Sequence, residues 1–409
     1  PPAHEATLRD RFGVPEVVSV YGMTEVNIPL YGELGLARPG TCGRALERWF
    51  DVIVADPETD VALSPAARSA GAVGELLVRP RTAFGAMVAA LRQRRAAGHG
   101  PFTGMSCDNL RGNGDILRQA VVGLARLSDP DLAGWIDSEG AFPNSMVDCI
   151  VPATGPAERA LARDLGIADE VPVTHENYRQ WVLEDAFCAG RPDWDRVGAT
   201  FTADVHSYEM MKIRILNAGH QVLANAGELL SQGTIADCMA HPVIRAFFRK
   251  VQSEEILPYI DPVPDMTPDQ YLDLIESRFA NPAIRDTTRR VAFDGSSRHP
   301  GFVLPILRDA LAAGGPVDGL ALVEALWARM CAGQREDGTV IEPNDPFWAD
   351  LHQAANAAKT RPLAWLEQSG IYADTAADPA FSAAFVRWLT LIWQDGTEAA
   401  LAAYIGSHT

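Results

Sequence analysis

Apolar residues recur every three to four positions through most of the second half of the chain. Those periods predict helices over 204–231, 235–253, 266–277, 302–313, 317–332, 346–358 and 380–405. The first half is punctuated differently. A helical period over 84–97 ends at Gly98-His99-Gly100-Pro101. Phe102–Cys107 reads as a strand that runs into a turn-rich loop at 108–115. A second helix is expected from Ile116 to Arg126, and strand-and-loop patterns follow at 142–154 and from 201. The fold class expected is therefore α/β plus all-α: strands and helices in the first half, followed by a mostly helical C-terminal domain. No internal repeat or low-complexity tract interrupts the chain.

One helical stretch breaks the pattern in an informative way. On a 3.6-residue period, Glu209, Lys212, Leu216 and His220 form one stripe, with Asn217 at its edge. Lys212 shares its face with Ile213 and Leu216. Desolvation there lowers a lysine toward neutrality, which suits proton transfer; the alternative is a lysine that snorkels to solvent.

Composition narrows the function classes. The chain has 409 residues, 47% hydrophobic and 22% charged, enough for two or three soluble domains. A formal charge of −18 argues against a nucleic-acid or anionic-membrane partner, which would need a basic face, and no apolar run is long enough for a membrane span. Six cysteines at 42, 107, 149, 188, 238 and 331 include no CxxC pair, so reduced thiols in a cytoplasmic protein are expected, without a metal cluster. The first residue is Pro, and the chain is read as a fragment.

Residues 15–30 lead a β-branched run into Tyr21-Gly22-Met23-Thr24-Glu25. Pro39-Gly40 with Gly43-Arg44, and Gly74-Glu75 through Arg79 to Arg81, follow in order. This set resembles the adenylate-forming (AMP-binding) acyl-CoA synthetases and covers about residues 1–81. The resemblance implies that Thr24 and Glu25 descend from groups that hold ATP and its Mg²⁺. The other phosphate-handling motifs are absent, so this N-terminal α/β segment is expected to have no ligase activity.

A second set of motifs runs from residue 82 to the C-terminus. It comprises Ser106–Leu110, Asn113-Gly114, Phe142–Asp148, Gln180–Asp185, Lys212–His220 and Arg290–Ser296. Together they resemble the polyol-specific long-chain dehydrogenases, the mannitol dehydrogenase family. The division expected is 1–81, then 82–200 as the C-terminal part of a Rossmann-like dinucleotide domain, then 201–409 as the helical substrate domain. The resemblance implies oxidation of a polyol to a ketose with NAD or NADP and no metal. It implies Lys212 as general acid/base, Asn109 and Asn217 as amides that polarise the reacting oxygen, and Glu209 as the proton exit. It further implies His220, Asp148, Arg290 and Arg298 on the substrate hydroxyls, and Asp148 and Asn109 beside the cofactor. Structural alternatives stand beside these roles: an Asx turn for Asn109, a helix-kink contact for Asn217, a core imidazole for His220 and a turn cap for Asp148. One of Arg289 and Arg290 belongs to the surface, and the spacing to Ala292 and Asp294 favours Arg290 for the site. Arg298 stands where the family usually has Lys, so a bidentate contact is expected.

The family's glycine-rich cofactor turn has no match in the chain. This implies weak or lost cofactor binding, and poor packing over residues 1–150. The alternative function is an inactive fusion of a ligase fragment with a dehydrogenase fragment.

Overall fold

A computed structural model describes residues 83–407 apart from 153 and 170, together with the backbone of five strands before residue 81. Those strands are β1 (Val20–Met23), β2 (Asn27–Tyr31), β3 (Arg44–Ala45), β4 (Phe50–Ala55) and β5 (Glu75–Pro80). β1–β2–β3 form one antiparallel sheet, and β4 pairs antiparallel with β5 from Phe50↔Pro80 to Ala55↔Glu75. Thr24 and Glu25 lie outside the described residues. The chain divides into two compact units, 1–145 with 185–193, and 146–184 with 194–409.

In the first unit, helices Ala83–Ala96, Asn113–Ser128 and Pro130–Glu139 share a core of Val88, Leu91, Val121, Ala125, Leu132 and Ile136, among others. Poor packing was the expectation there; between 83 and 145 the helices instead enclose their own apolar seam. Asp129 accepts from the Leu132 N–H at 2.9 Å and Pro130 takes the first helical position, which starts a helix the periodicity missed.

Phe102–Cys107 is not a strand. Its backbone groups are taken singly: the Gly104 N–H donates to Ala141 O, and the Ser145 hydroxyl donates to Ser106 O. No ladder forms. Helix Asn113–Ser128 starts three residues earlier than expected because Asn144 Oδ1 accepts from the Gly114 and Asp115 N–H groups at 2.8 and 3.2 Å. Gly114 permits this approach, since a Cβ there would strike the Phe142 and Pro143 carbonyls.

The second unit holds the sheet β6 (Ser145–Asp148), β7 (Gln180–Glu184) and β8 (Ala199–Thr202), in that order, with β7 parallel to β8 from Trp181↔Ala199 to Glu184↔Thr202. After β8 the described chain is helical, as the period predicts. Pro242 splits the expected helix over 235–253 into Ile235–Ala240 and Pro242–Val251. Gly396, at φ 90°, splits the last one into Pro379–Asp395 and Thr397–Gly406. The core runs through Val222, Phe247, Leu272, Leu307, Leu326 and Phe385, all fully buried. Among the described residues no helix is long and apolar enough to cross a membrane.

Candidate functional site

The stretch singled out in the sequence is not one α-helix. Helix Val205–Met211 passes into a π-helical segment, Lys212–Asn217, before α-helix resumes at Ala218–Leu229. Residues five apart on an α-helix point about 140° away from each other. A π turn closes i→i+5 bonds, so residue i+5 stacks where i+4 otherwise stands. Lys212 and Asn217 are the first and last residues of that turn. The wider turn carries Asn217 from the edge of the stripe toward its centre, which a fixed 3.6-residue period could not anticipate.

The widened turn is held from outside. Gln252, fully buried in a second π-helical segment (Gln252–Ile256), donates from Nε2 to Ile215 O at 2.9 Å. Gly219 leaves room for this amide, since a Cβ there would lie 2.6 Å from it.

Lys212 is partly buried and lines a cleft with Met146, Gln180, Tyr208, Met211 and Tyr271. Burial pulls its ammonium below the ordinary lysine range. The Asp148 charge works against that, Arg278 works with it, and Glu209 works against it. Glu209 is buried, and its carboxylate sits 2.8 Å from Nδ1 of His206, which is half exposed. His206, Glu209 and Lys212 thus step along one helix face at three-residue intervals.

Asp148 is buried at the end of β6. Arg278 donates to its two oxygens at 2.6 and 2.7 Å, and the Tyr271 hydroxyl donates to Oδ2 at 2.5 Å. Arg278 also donates to both oxygens of Glu176 at 2.7 and 2.9 Å, and its guanidinium lies 4.3 Å from the Tyr178 ring centre. Glu176 in turn accepts from the Ile150 N–H at 2.6 Å. Burial, then the Asp148 charge, pushes the Tyr271 phenol well up, so it stays a donor.

A second cluster surrounds His220. The imidazole stacks on Phe279 at 4.3 Å, and its Nε2 is buried, 3.9 Å from Asp286 and without a hydrogen-bond partner. Burial lowers His220 to about 4; Asp286 opposes this, while Arg290, Arg298 and Arg278 add to it. Buried Asp286 accepts from Arg290 Nε at 2.7 Å and Nη2 at 2.5 Å. Arg298 donates from Nη1 to Val291 O at 3.0 Å, a single contact and not a bidentate one. Arg289 turns to Glu342 O and Pro343 O.

Lys212, Asn217, Glu209, His220, Asp148, Arg290 and Arg298 all belong to the second unit. Asn109 belongs to the first, on an exposed turn where its N–H donates to Asp108 Oδ1 at 2.8 Å. Sequence reasoning missed Arg278, Glu176, Asp286 and His206. For a dinucleotide, the glycine-flanked start of helix Asn113–Ser128 does not fit a pyrophosphate, because Asn144 already occupies its N–H groups. The start of helix Pro156–Asp164 has Glu158 on the Gly155 N–H at 2.7 Å, which repels an anion. Among the described residues no group of three His, Cys, Asp or Glu is set to hold a metal ion.

The Rossmann-domain model of the mannitol dehydrogenases matches residues 44–196, and their C-terminal-domain model matches 204–393. The first match begins inside the segment likened above to the adenylate-forming enzymes. Mannitol 2-dehydrogenase of Cereibacter sphaeroides is 55% identical over 329 residues, 80% of this chain and 69% of that protein. D-Mannonate oxidoreductase of Escherichia coli (strain K12) is 42% identical over 318 residues, 77% of this chain and 65% of that protein. A solved structure, Pseudomonas fluorescens mannitol 2-dehydrogenase in ternary complex with NAD and D-mannitol, matches with a TM-score of 0.72 at 37% identity, covering 80% of this chain and 67% of that one. The chain spans about two thirds of the length of each.

Proposed function

The chain belongs to the mannitol dehydrogenase family, and from that premise we propose that it is an oxidoreductase that takes a mannitol-like polyol to its ketose with NAD, using Lys212 as general acid/base and no metal. The observation that carries this reading is Lys212 itself: a cleft-lining amine lowered by burial, with Asp148 and Glu209 acting on it. An amine held below the ordinary lysine range is neutral over a wider span of pH, the form that can accept a hydroxyl proton.

The alcohol loses a proton from oxygen and a hydride from carbon. When bound, the dinucleotide supplies the hydride acceptor; the chain's own residues handle the proton. Lys212 takes it, and Glu209 passes it toward His206 and solvent, in keeping with the 2.8 Å contact between them. Asn217, beside Lys212 across the π turn, and Asn109 donate to the oxygen as it gains alkoxide character. His220, Arg290 and Arg298 hold the remaining hydroxyls. Asp148 is engaged by Arg278 and Tyr271, so we assign it to orienting the site more than to direct substrate contact. The choice of NAD follows the Pseudomonas complex. The five cysteines among the described residues are free thiols, which supports a reducing compartment, the cytoplasm.

The mannonate oxidoreductase relative makes a sugar acid the second substrate class. The test is NAD reduction by the full chain with mannitol, sorbitol, arabinitol and mannonate in parallel. Mannitol is expected to turn over fastest, and Lys212→Met to lose about 10²- to 10⁴-fold in kcat. Turnover unaffected by that substitution removes Lys212 from the chemistry. Turnover with none of the four favours the alternative, an inactive join near residue 81.

A further inference from the structure

A buried arginine behind the Lys212 cleft faces two carboxylates, one of which acts on Lys212. We propose that Arg278 is a positioning residue for the reaction: by occupying both oxygens of Asp148 it keeps this carboxylate from pairing with the Lys212 amine, while Glu176 tempers the guanidinium's own charge. The inference rests on Lys212 as the proton-transferring amine.

The geometry is specific. Arg278, Asp148 and Glu176 are all buried, and every nitrogen of the guanidinium donates to one of the two carboxylates at 2.6–2.9 Å. The Tyr271 hydroxyl, whose ring lines the Lys212 cleft, supplies the third donor to Asp148. Met146, two residues before Asp148 on β6 and so on the same strand face, lines the cleft too. The cluster therefore stands behind the cleft wall. It carries one negative charge in excess, because two carboxylates share one guanidinium. Both signs reach the lysine: Asp148 stabilises its ammonium and Arg278 opposes it.

Other titratable groups lie on the elements around Lys212. Glu209 and Tyr208 lie on the preceding helix, and His220 on the following one. Arg214, on the same turn, pairs with Asp309. On the neighbouring π-helical segments, Glu255 accepts from the Gly319 and Leu320 N–H groups, and His299 pairs with Glu324.

The chain has three lysines, Lys212, Lys250 and Lys359, so the amine can be read without substrate or cofactor. The experiment is pH-dependent labelling of the full chain with an amine-reactive reagent, with each lysine resolved by peptide mass spectrometry. Arg278→Met frees Asp148 and removes the opposing cation, so the labelling midpoint of Lys212 is expected to rise by about one pH unit or more. Arg278→Lys, which keeps the charge, recovers part of that shift. Glu176→Gln leaves Arg278 less neutralised, and the midpoint is expected to fall. Lys250, bonded to Tyr404 O, and exposed Lys359 stay where they are. Opposite shifts distinguish charge control from a merely structural role, which moves both variants alike or neither. A Lys212 midpoint that is unchanged, or displaced in the same direction in both, overturns the proposal. Where Arg278→Met does not fold, the fall in Glu176→Gln alone decides. A chain with no turnover still returns the answer, so failure here is distinct from failure of the dehydrogenase reading.

Discussion

Two ionic clusters attend the Lys212–His220 stretch, and they are built with opposite charge. Around Lys212, two carboxylates, Asp148 and Glu176, enclose one guanidinium, Arg278. Around His220, one carboxylate, Asp286, is pressed by Arg290 and by the charge of Arg298. Burial is the leading cause of lowering for both bases. For Lys212 the neighbouring anions push back. For His220 three arginines reinforce burial, and Asp286 alone opposes it. The comparison teaches how surroundings divide two bases: anions oppose the lowering of the lysine, as its proposed proton-transfer role requires, while the imidazole is kept neutral, able to donate or accept a hydrogen bond without adding charge.

The most demanding way to break that comparison is acid. His220 binds its proton near 4 when folded and near 6.5 when unfolded. Between those values the unfolded chain holds more protons, so stability rises with pH across the window and falls as pH is lowered through it. The full difference is roughly 3 kcal/mol. Urea unfolding at pH 7, 6, 5 and 4 should show this loss in the parent and a flatter profile in His220→Phe, which keeps a ring against Phe279. Parallel profiles would mean that the His220 site is more hydrated than its burial implies.

The lysine cluster and the histidine cluster were unequally legible. Lys212 announced itself as a charge on an apolar stripe. The same test finds Arg278, which follows Tyr271, Leu272 and Ile275 along the buried face of helix Pro268–Phe279. It was missed because that helix carried no recognised motif. Glu176 sits in a loop and meets Arg278 across 102 residues of chain, so nothing local marks it. Asp286 lies four residues before Arg290, the spacing of a helical pair, but outside the motif that drew the eye. The helical domain was readable because its period is long and regular; the breaks at Pro242 and Gly396 were readable in principle. The π turn was not, because its brace is Gln252, 37 residues from Ile215 in sequence, seated in the space that Gly219 leaves. In the first unit, the helix at 130–139 was hidden in plain sight behind an Asp-Pro start signal.

Gln252→Leu sharpens the comparison at the next level down, because the turn it braces sets the rotation between Lys212 and His220. The substitution leaves Ile215 O without its donor, and it also removes the Gln252 Oε1, which is buried without a partner. The loss and the relief oppose each other, so about 1–2 kcal/mol of destabilisation is expected in chemical denaturation. In the active chain, kcat is expected to fall more than KM rises, since the brace positions Lys212 and Asn217 and touches no substrate. A variant as stable as the parent, with both kinetic constants unchanged, would show that the π turn holds itself.

The smallest effect is expected at Arg298→Lys, and it tests whether the histidine cluster needs a guanidinium or only a positive charge. Arg298 makes one hydrogen bond, to the Val291 carbonyl, and uses no second nitrogen in a forked contact. A lysine retains the charge that helps keep His220 neutral and can reach a single carbonyl as a point donor. Stability should therefore change by less than about 1 kcal/mol, with the acid-limb profile of His220 preserved. A larger loss, or a His220 transition moved upward in pH, would mean that the planar guanidinium shapes the pocket by packing, and that the two clusters differ in shape as well as in charge.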